Sequence, residues 1–93
     1  MFSWDAQKAI LNFEKHGVAF EGAATIFSDP EGLDWQDLAH SRQEARYKRL
    51  GISIDHRILL VVYTIRRSRD GKETIRIISA RAASRKEREA YSG

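Results

Sequence analysis

The sequence contains no cysteine, which excludes a disulfide framework and a thiolate metal site. It holds one proline, in "SDPEG", and six glycines that stand singly, so there is no proline-rich linker and no glycine-rich phosphate loop. The longest apolar run, "ILLVVYTI" at 58–65, is far too short to span a bilayer. The start, "MFSWDAQKAI", carries an acid early and no long apolar stretch, unlike a signal peptide. The expectation is a soluble chain in a reducing cytoplasm, with no membrane partner. His16, His40 and His56 lie far apart, and neither an HExxH motif nor a paired DxD occurs. Asp34 and Asp37 read as turn acids rather than as a magnesium pair. No metal and no other cofactor is expected.

What is present fits one small domain spanning 1–93, without internal repeats. Hydrophobic residues make up 42%, enough for a core and too many for a disordered chain. The net charge of +3 hides an asymmetry. Residues 1–40 hold two cations against seven acids, whereas residues 41–93 hold fourteen against six. Eleven of those fourteen are arginine, whose planar fork suits phosphate better than a lysine point charge does. Such a split points to a polyanion, most often nucleic acid. A merely solvated basic surface is the competing reading, and charge alone does not separate the two.

Periodicity supplies the elements. In "SWDAQKAILNFEKHG", Asp5 can cap a helix whose Ala6, Ala9, Ile10 and Phe13 share an apolar face. His16 sits in its last turn, and Gly17 can take the left-handed position that ends it. His16 therefore reads as a helix-end residue rather than a catalyst. "AFEGAATIF" is a second, shorter helix, and "SDPEG" breaks the chain. From there the period becomes two. "LDWQDL", "ARYKRLGISI", "RILLVVYTIRR" and "TIRIISA" read as strands, with tight turns at "DHR" and at Asp70-Gly71. In "ASRKEREAYSG", Ser84 and Glu87 have capping-box spacing for a closing helix. The fold class is thus α+β: a small, mostly antiparallel sheet of three or four strands, two N-terminal helices and one C-terminal helix. On simple alternation, Arg46 and Lys48 share a face opposite Tyr47 and Arg49, and Thr64 shares one with Arg66. Arg76 is a further cation for a face free of helices.

Within "HSRQEARYK", His40, Glu44, Arg46 and Lys48 bring an acid–base group, a carboxylate and two cations together. Metal-free RNA cleavage needs such a set. A base removes the 2′-hydroxyl proton, cations stabilise the crowded phosphate, and an acid protonates the leaving oxygen. A plain surface pair of Glu44 with Lys48 or Arg46 would account for the same residues.

Several segments, in order and from Phe2 to Tyr91, resemble the BrnT toxins of bacterial type II toxin–antitoxin systems. The most specific are "KHGV" with the alanines that follow it, and "RIISARAASRKEREAY". The resemblance implies a RelE-like ribonuclease fold, and RNA cleavage that stops translation. It also implies a BrnA-type antitoxin partner, through which the complex would reach operator DNA. It further implies a site made of Arg46, Lys48, Arg66 and Arg81, with Tyr91 a possible addition. His40 and Glu44 remain the candidates for proton transfer. Arg81 would stand at the phosphate beside the start of the last helix, with Arg76, Arg85 and Arg88 binding RNA around it. A catalytically inactive co-repressor and a non-toxic RNA-binding module are the competing functions. Trp4, Trp35 and Phe2 are candidate antitoxin anchors if exposed, and core residues otherwise.

Overall fold

The computed structural model describes residues 1–93. In chain order the elements are β1 (Phe2–Ser3), α1 (Ala6–His16), α2 (Phe20–Ala24), β2 (Leu33–Gln36), β3 (Tyr47–Ile52), β4 (Ile58–Arg67), β5 (Glu73–Ala82) and α3 (Arg85–Ser92). Short 3₁₀ turns occupy Thr25–Ser28 and Leu38–His40. The strands form one sheet in the order β1-β5-β4-β3-β2. It has five strands rather than three or four. β1 runs parallel to β5 through Phe2 and Ser3, while every other pair is antiparallel. A two-residue strand leaves no periodicity to read, which is why the sequence hides β1. The second helix is also shorter than its apolar pattern suggests, because the chain tightens to 3₁₀ geometry from Thr25.

The caps form as their residue types dictate. The Asp5 carboxylate accepts from the Lys8 amide at 3.0 Å, and Gly17 closes α1 at φ 68° with its N–H on the Phe13 carbonyl. Ser84 and Glu87 make the full capping box of α3.

The sheet is covered unequally. On one side, α1, α2 and the turn after them pack Val18, Phe20, Ala23 and Ile26 onto Leu59, Val61, Tyr63, Ile77 and Ala80. On the other, α3 covers only one end, over Leu50, Leu60 and Ala83. β4 is apolar on both faces because each is covered in part, Leu59, Val61 and Tyr63 lying in one cluster and Leu60 in the other.

Two features depart from simple periodicity. α1 does not bury Ile10 and Phe13, which are 55% and 56% exposed. It lies on the sheet through Ala9 and the buried Asn12. Asn12 donates to the Val18 and Ala80 carbonyls at 3.1 and 2.8 Å and accepts from the Ala80 amide at 3.1 Å. It thus satisfies the edge of β5 where β1 no longer reaches. The second feature is a bulge in β5. Val62 pairs with Ser79 but Tyr63 pairs with Ile77, so the alternation slips by one residue. Without the slip, Arg81 would share the helix-covered face with Ile77. With it, Ala80 enters the core and Arg81 lies opposite Leu60, on the side of α3.

Candidate nucleic-acid interface

The end of the second face beyond α3 is open, and the register fixes what it displays. One row across the strands is Trp35, Lys48, Val62 and Ser79. The next functional row holds Thr64 opposite Arg76, with Arg46 one residue before Tyr47. Arg66 follows on the same face, opposite Thr74. Arg46, Lys48 and Arg76 have no carboxylate within ion-pairing distance, so their charge is available to a ligand. Thr64 is 1% exposed, and its hydroxyl is the one buried side-chain polar atom without a hydrogen-bond partner. Alternation with Tyr63 aims it away from the helices, into this face.

The connection from β2 to β3 borders the row. Ser41 folds it by donating from its hydroxyl to the Asp37 carbonyl at 2.6 Å and accepting from the Arg46 amide at 2.9 Å. A cleft of about 600 Å³ results, lined by Ala39, His40, Arg42, Gln43, Glu44 and Arg46. His40 Nδ1 lies 3.0 Å from the Asp37 carboxylate, which leaves Nε2 unengaged. Glu44 is held by Arg66, with Nε and Nη2 donating at 3.2 and 3.3 Å. Both partners of that pair are about half exposed. The fold therefore gathers His40, Glu44, Arg46, Lys48, Arg66 and Arg76 around one cleft and the adjoining sheet.

The remaining sequence candidates stand apart. Arg81 does lie on this face, but it forks onto Glu87 at 2.7 and 2.9 Å. Those bonds raise the Arg81 pKa and, with the Ser84 amide, hold the Glu87 carboxyl down at about 2. The start of α3 is likewise occupied: Ser84 N–H donates to Glu87, and Glu87 N–H to Ser84. This corrects the expectation of an open anion site there. The Tyr91 hydroxyl donates to Asp29 at 2.5 Å, which pushes its pKa up to about 12 and ties α3 to the turn before β2. Arg88 donates to the Ala83 carbonyl at 2.9 Å, and Arg85 lies 3.8 Å from Glu89 on the exposed side of α3.

Sequence reasoning also missed a structural cation. Arg49 points to the helix side, where it donates to the Ile26 and Asp29 carbonyls and to Asp34, 5.4 Å from the Phe27 ring centre. A Cβ at Gly32 would overlap its guanidinium, so a larger residue there would displace Arg49 from these partners. Asp34 also accepts from the Tyr63 hydroxyl at 2.6 Å. It serves Arg49 and Tyr63, while Asp37 serves His40. Alternation already separated Arg49 from Arg46 and Lys48, but its partners come from distant turns. No three His, Asp or Glu side chains converge as a metal's ligands would. No helix is long and apolar enough to cross a membrane.

No curated protein matches the chain significantly. Among solved structures it resembles the Brucella abortus ribonuclease toxin BrnT, determined at 1.1 Å resolution. The TM-score is 0.66 over 91% of this chain and 99% of that one, at 23% identity, a likeness of fold. The family model described as "Ribonuclease toxin, BrnT, of type II toxin-antitoxin system" matches residues 4–87. The chain belongs to the BrnT family of ribonuclease toxins of type II toxin–antitoxin systems.

Proposed function

We propose that the chain is an endoribonuclease toxin that cuts RNA without a metal ion and thereby stops translation in the cytoplasm. The observation that carries this reading is the convergence of unpaired Arg46, Lys48 and Arg76 beside a cleft that holds His40 and Glu44. A phosphodiester seated on these cations would meet Arg66 at the cleft's edge. The Arg66–Glu44 pair is exposed, and such pairs contribute at most about 1 kcal/mol. An incoming phosphate can take the place of Glu44 in the arginine fork. Glu44 then accepts the proton of the 2′-hydroxyl, whose oxygen attacks the adjacent phosphorus. Arg46, Lys48 and Arg66 stabilise the extra negative charge. His40, oriented by Asp37, protonates the departing 5′-oxygen. The products are a 2′,3′-cyclic phosphate and a 5′-hydroxyl. Arg81 stays paired with Glu87 and shapes the rim.

The partner of this reading is a BrnA-type antitoxin, which would also carry the complex to operator DNA. Ile10 and Phe13 stand out from α1 beside a groove of about 450 Å³ that Ala9, Ala19 and Phe20 line and Glu14 and Glu21 flank. Such a surface suits a protein partner with apolar anchors and basic flanks. Phe2 and Trp4 are less suited as anchors, because they pack on Phe27 and Phe20 with ring centres 5.4 and 5.9 Å apart.

Induced expression in bacteria tests the reading. Incorporation of labelled amino acid should fall sharply with the wild type, and should recover with Glu44→Gln or His40→Gln. Co-expressed antitoxin should restore it too. Unchanged incorporation with abundant folded wild-type protein would sink the toxin assignment.

A further inference from the structure

Trp35 and Phe13 are the two aromatic residues outside the ring contacts and apolar clusters, and of these only Trp35 lies on the face opposite α1. Phe2, Phe27, Tyr63 and Tyr47 form a continuous series of ring contacts, and Trp4 meets Phe20 edge-on. Trp35 belongs to no such pair and to neither apolar cluster, and it is 42% exposed. Its side is fixed by its neighbour. Asp34 is tied to Arg49 and to the Tyr63 hydroxyl on the helix side, so Trp35 presents the opposite face of the strand. Register then places it directly beside Lys48, one of the unpaired cations. Cross-strand neighbours of this kind have Cβ atoms about 4.5–5.5 Å apart. Leu33, opposite Leu50, extends the apolar surface, and the cleft of His40 and Glu44 begins a few residues beyond Gln36.

An indole beside a lysine is the combination that single-stranded RNA uses: the cation holds a phosphate, and the ring stacks on the adjoining base. We propose that Trp35 is a nucleobase-stacking platform that seats one base of the RNA next to the phosphate held by Lys48, and so helps to choose where the strand is cut. The inference rests on the reading of this face as the RNA-cleaving face. A protein anchor would use the same indole, but here the flanking free charge is positive and the proton-transfer cleft adjoins. The acid-flanked groove of α1 is on the other side of the sheet.

The test is the affinity of a short 2′-O-methylated single-stranded RNA, which binds without being cut, for the purified chain. Trp35→Ala should weaken binding about 5- to 150-fold, the range carried by one stacked base. Trp35→Phe should retain most of the affinity, and thermal melting should show both variants folded. Replacing successive bases of the RNA by abasic sites should locate one position at which wild type and Trp35→Ala bind alike. If Lys48→Ala weakens binding while Trp35→Ala does not, the stacking assignment is overturned and the RNA face stands. Stacking is overturned equally if Trp35→Ala keeps full RNA affinity but loses affinity for the antitoxin. If the wild type has no affinity for the RNA, the RNA face and the stacking site fall together.

Discussion

Asn12 holds together what no periodic pattern joins. Its amide serves both polar groups of Ala80 and the Val18 carbonyl, at a strand edge that no other strand covers. Asn12→Ala should therefore cost about 2–4 kcal/mol of stability, since buried backbone groups lose their partners together. Urea unfolding measures it, and a loss below about 0.5 kcal/mol would deny Asn12 that role. Glu87 makes a prediction about pH. Hydrogen bonds from Arg81 first, and then from Ser84, outweigh burial and hold its pKa at about 2, below its ordinary 4.5. A depressed carboxyl stabilises the fold above its unfolded pKa, and that contribution is lost as pH falls through the folded one. Glu87→Gln keeps the cap but removes the charge. It should cost roughly 1–2 kcal/mol at neutral pH, after allowance for solvent around the partly exposed arginine. The gap to wild type should stay level down to about pH 5 and close between pH 4.5 and about pH 2. A gap independent of pH over that range would contradict the assignment.

At the scale of elements, the sequence was legible where one residue type has one local use. Asp5, Gly17, Asp70-Gly71 and the Ser84–Glu87 box all marked their ends and turns. Alternation also separated Arg46 and Lys48 from Arg49. It failed where tertiary contacts decide. The pattern of α1 identifies residues that share a stripe but not which stripe meets the sheet. A buried asparagine with exposed Ile10 and Phe13 inverts the usual choice. The bulge in β5 is equally silent in "TIRIISARA", yet it decides that Arg81 leaves the core side. The exposed stripe on α1 has a consequence for binding. Phe13→Asp should weaken antitoxin binding at least tenfold, by placing a charge on an apolar surface already bordered by Glu14 and Glu21. Its cleavage of RNA should equal that of the wild type. Undiminished antitoxin affinity in a calorimetric titration would move the interface elsewhere.

Over the whole molecule, the division of charge along the chain becomes a division across the sheet. α1 and α2 lie on one side with Glu14 and Glu21 exposed, while Lys48, Arg66 and Arg76 occupy the other. Only part of the basic half remains free, because Arg49 is held by Asp34 and Arg81 by Glu87. That remainder, beside His40 and Glu44, is proposed to cut RNA unaided by metal, and one measurement addresses it most directly. Antitoxin-free protein is incubated with naked RNA in excess chelator, and the ends of the fragments are identified by mass spectrometry. The wild type should leave 2′,3′-cyclic phosphate ends, and folded Glu44→Gln and Lys48→Ala should cleave at least a hundredfold more slowly. RNA left intact by the wild type, or cut equally fast by both variants, would contradict a metal-free site on this face.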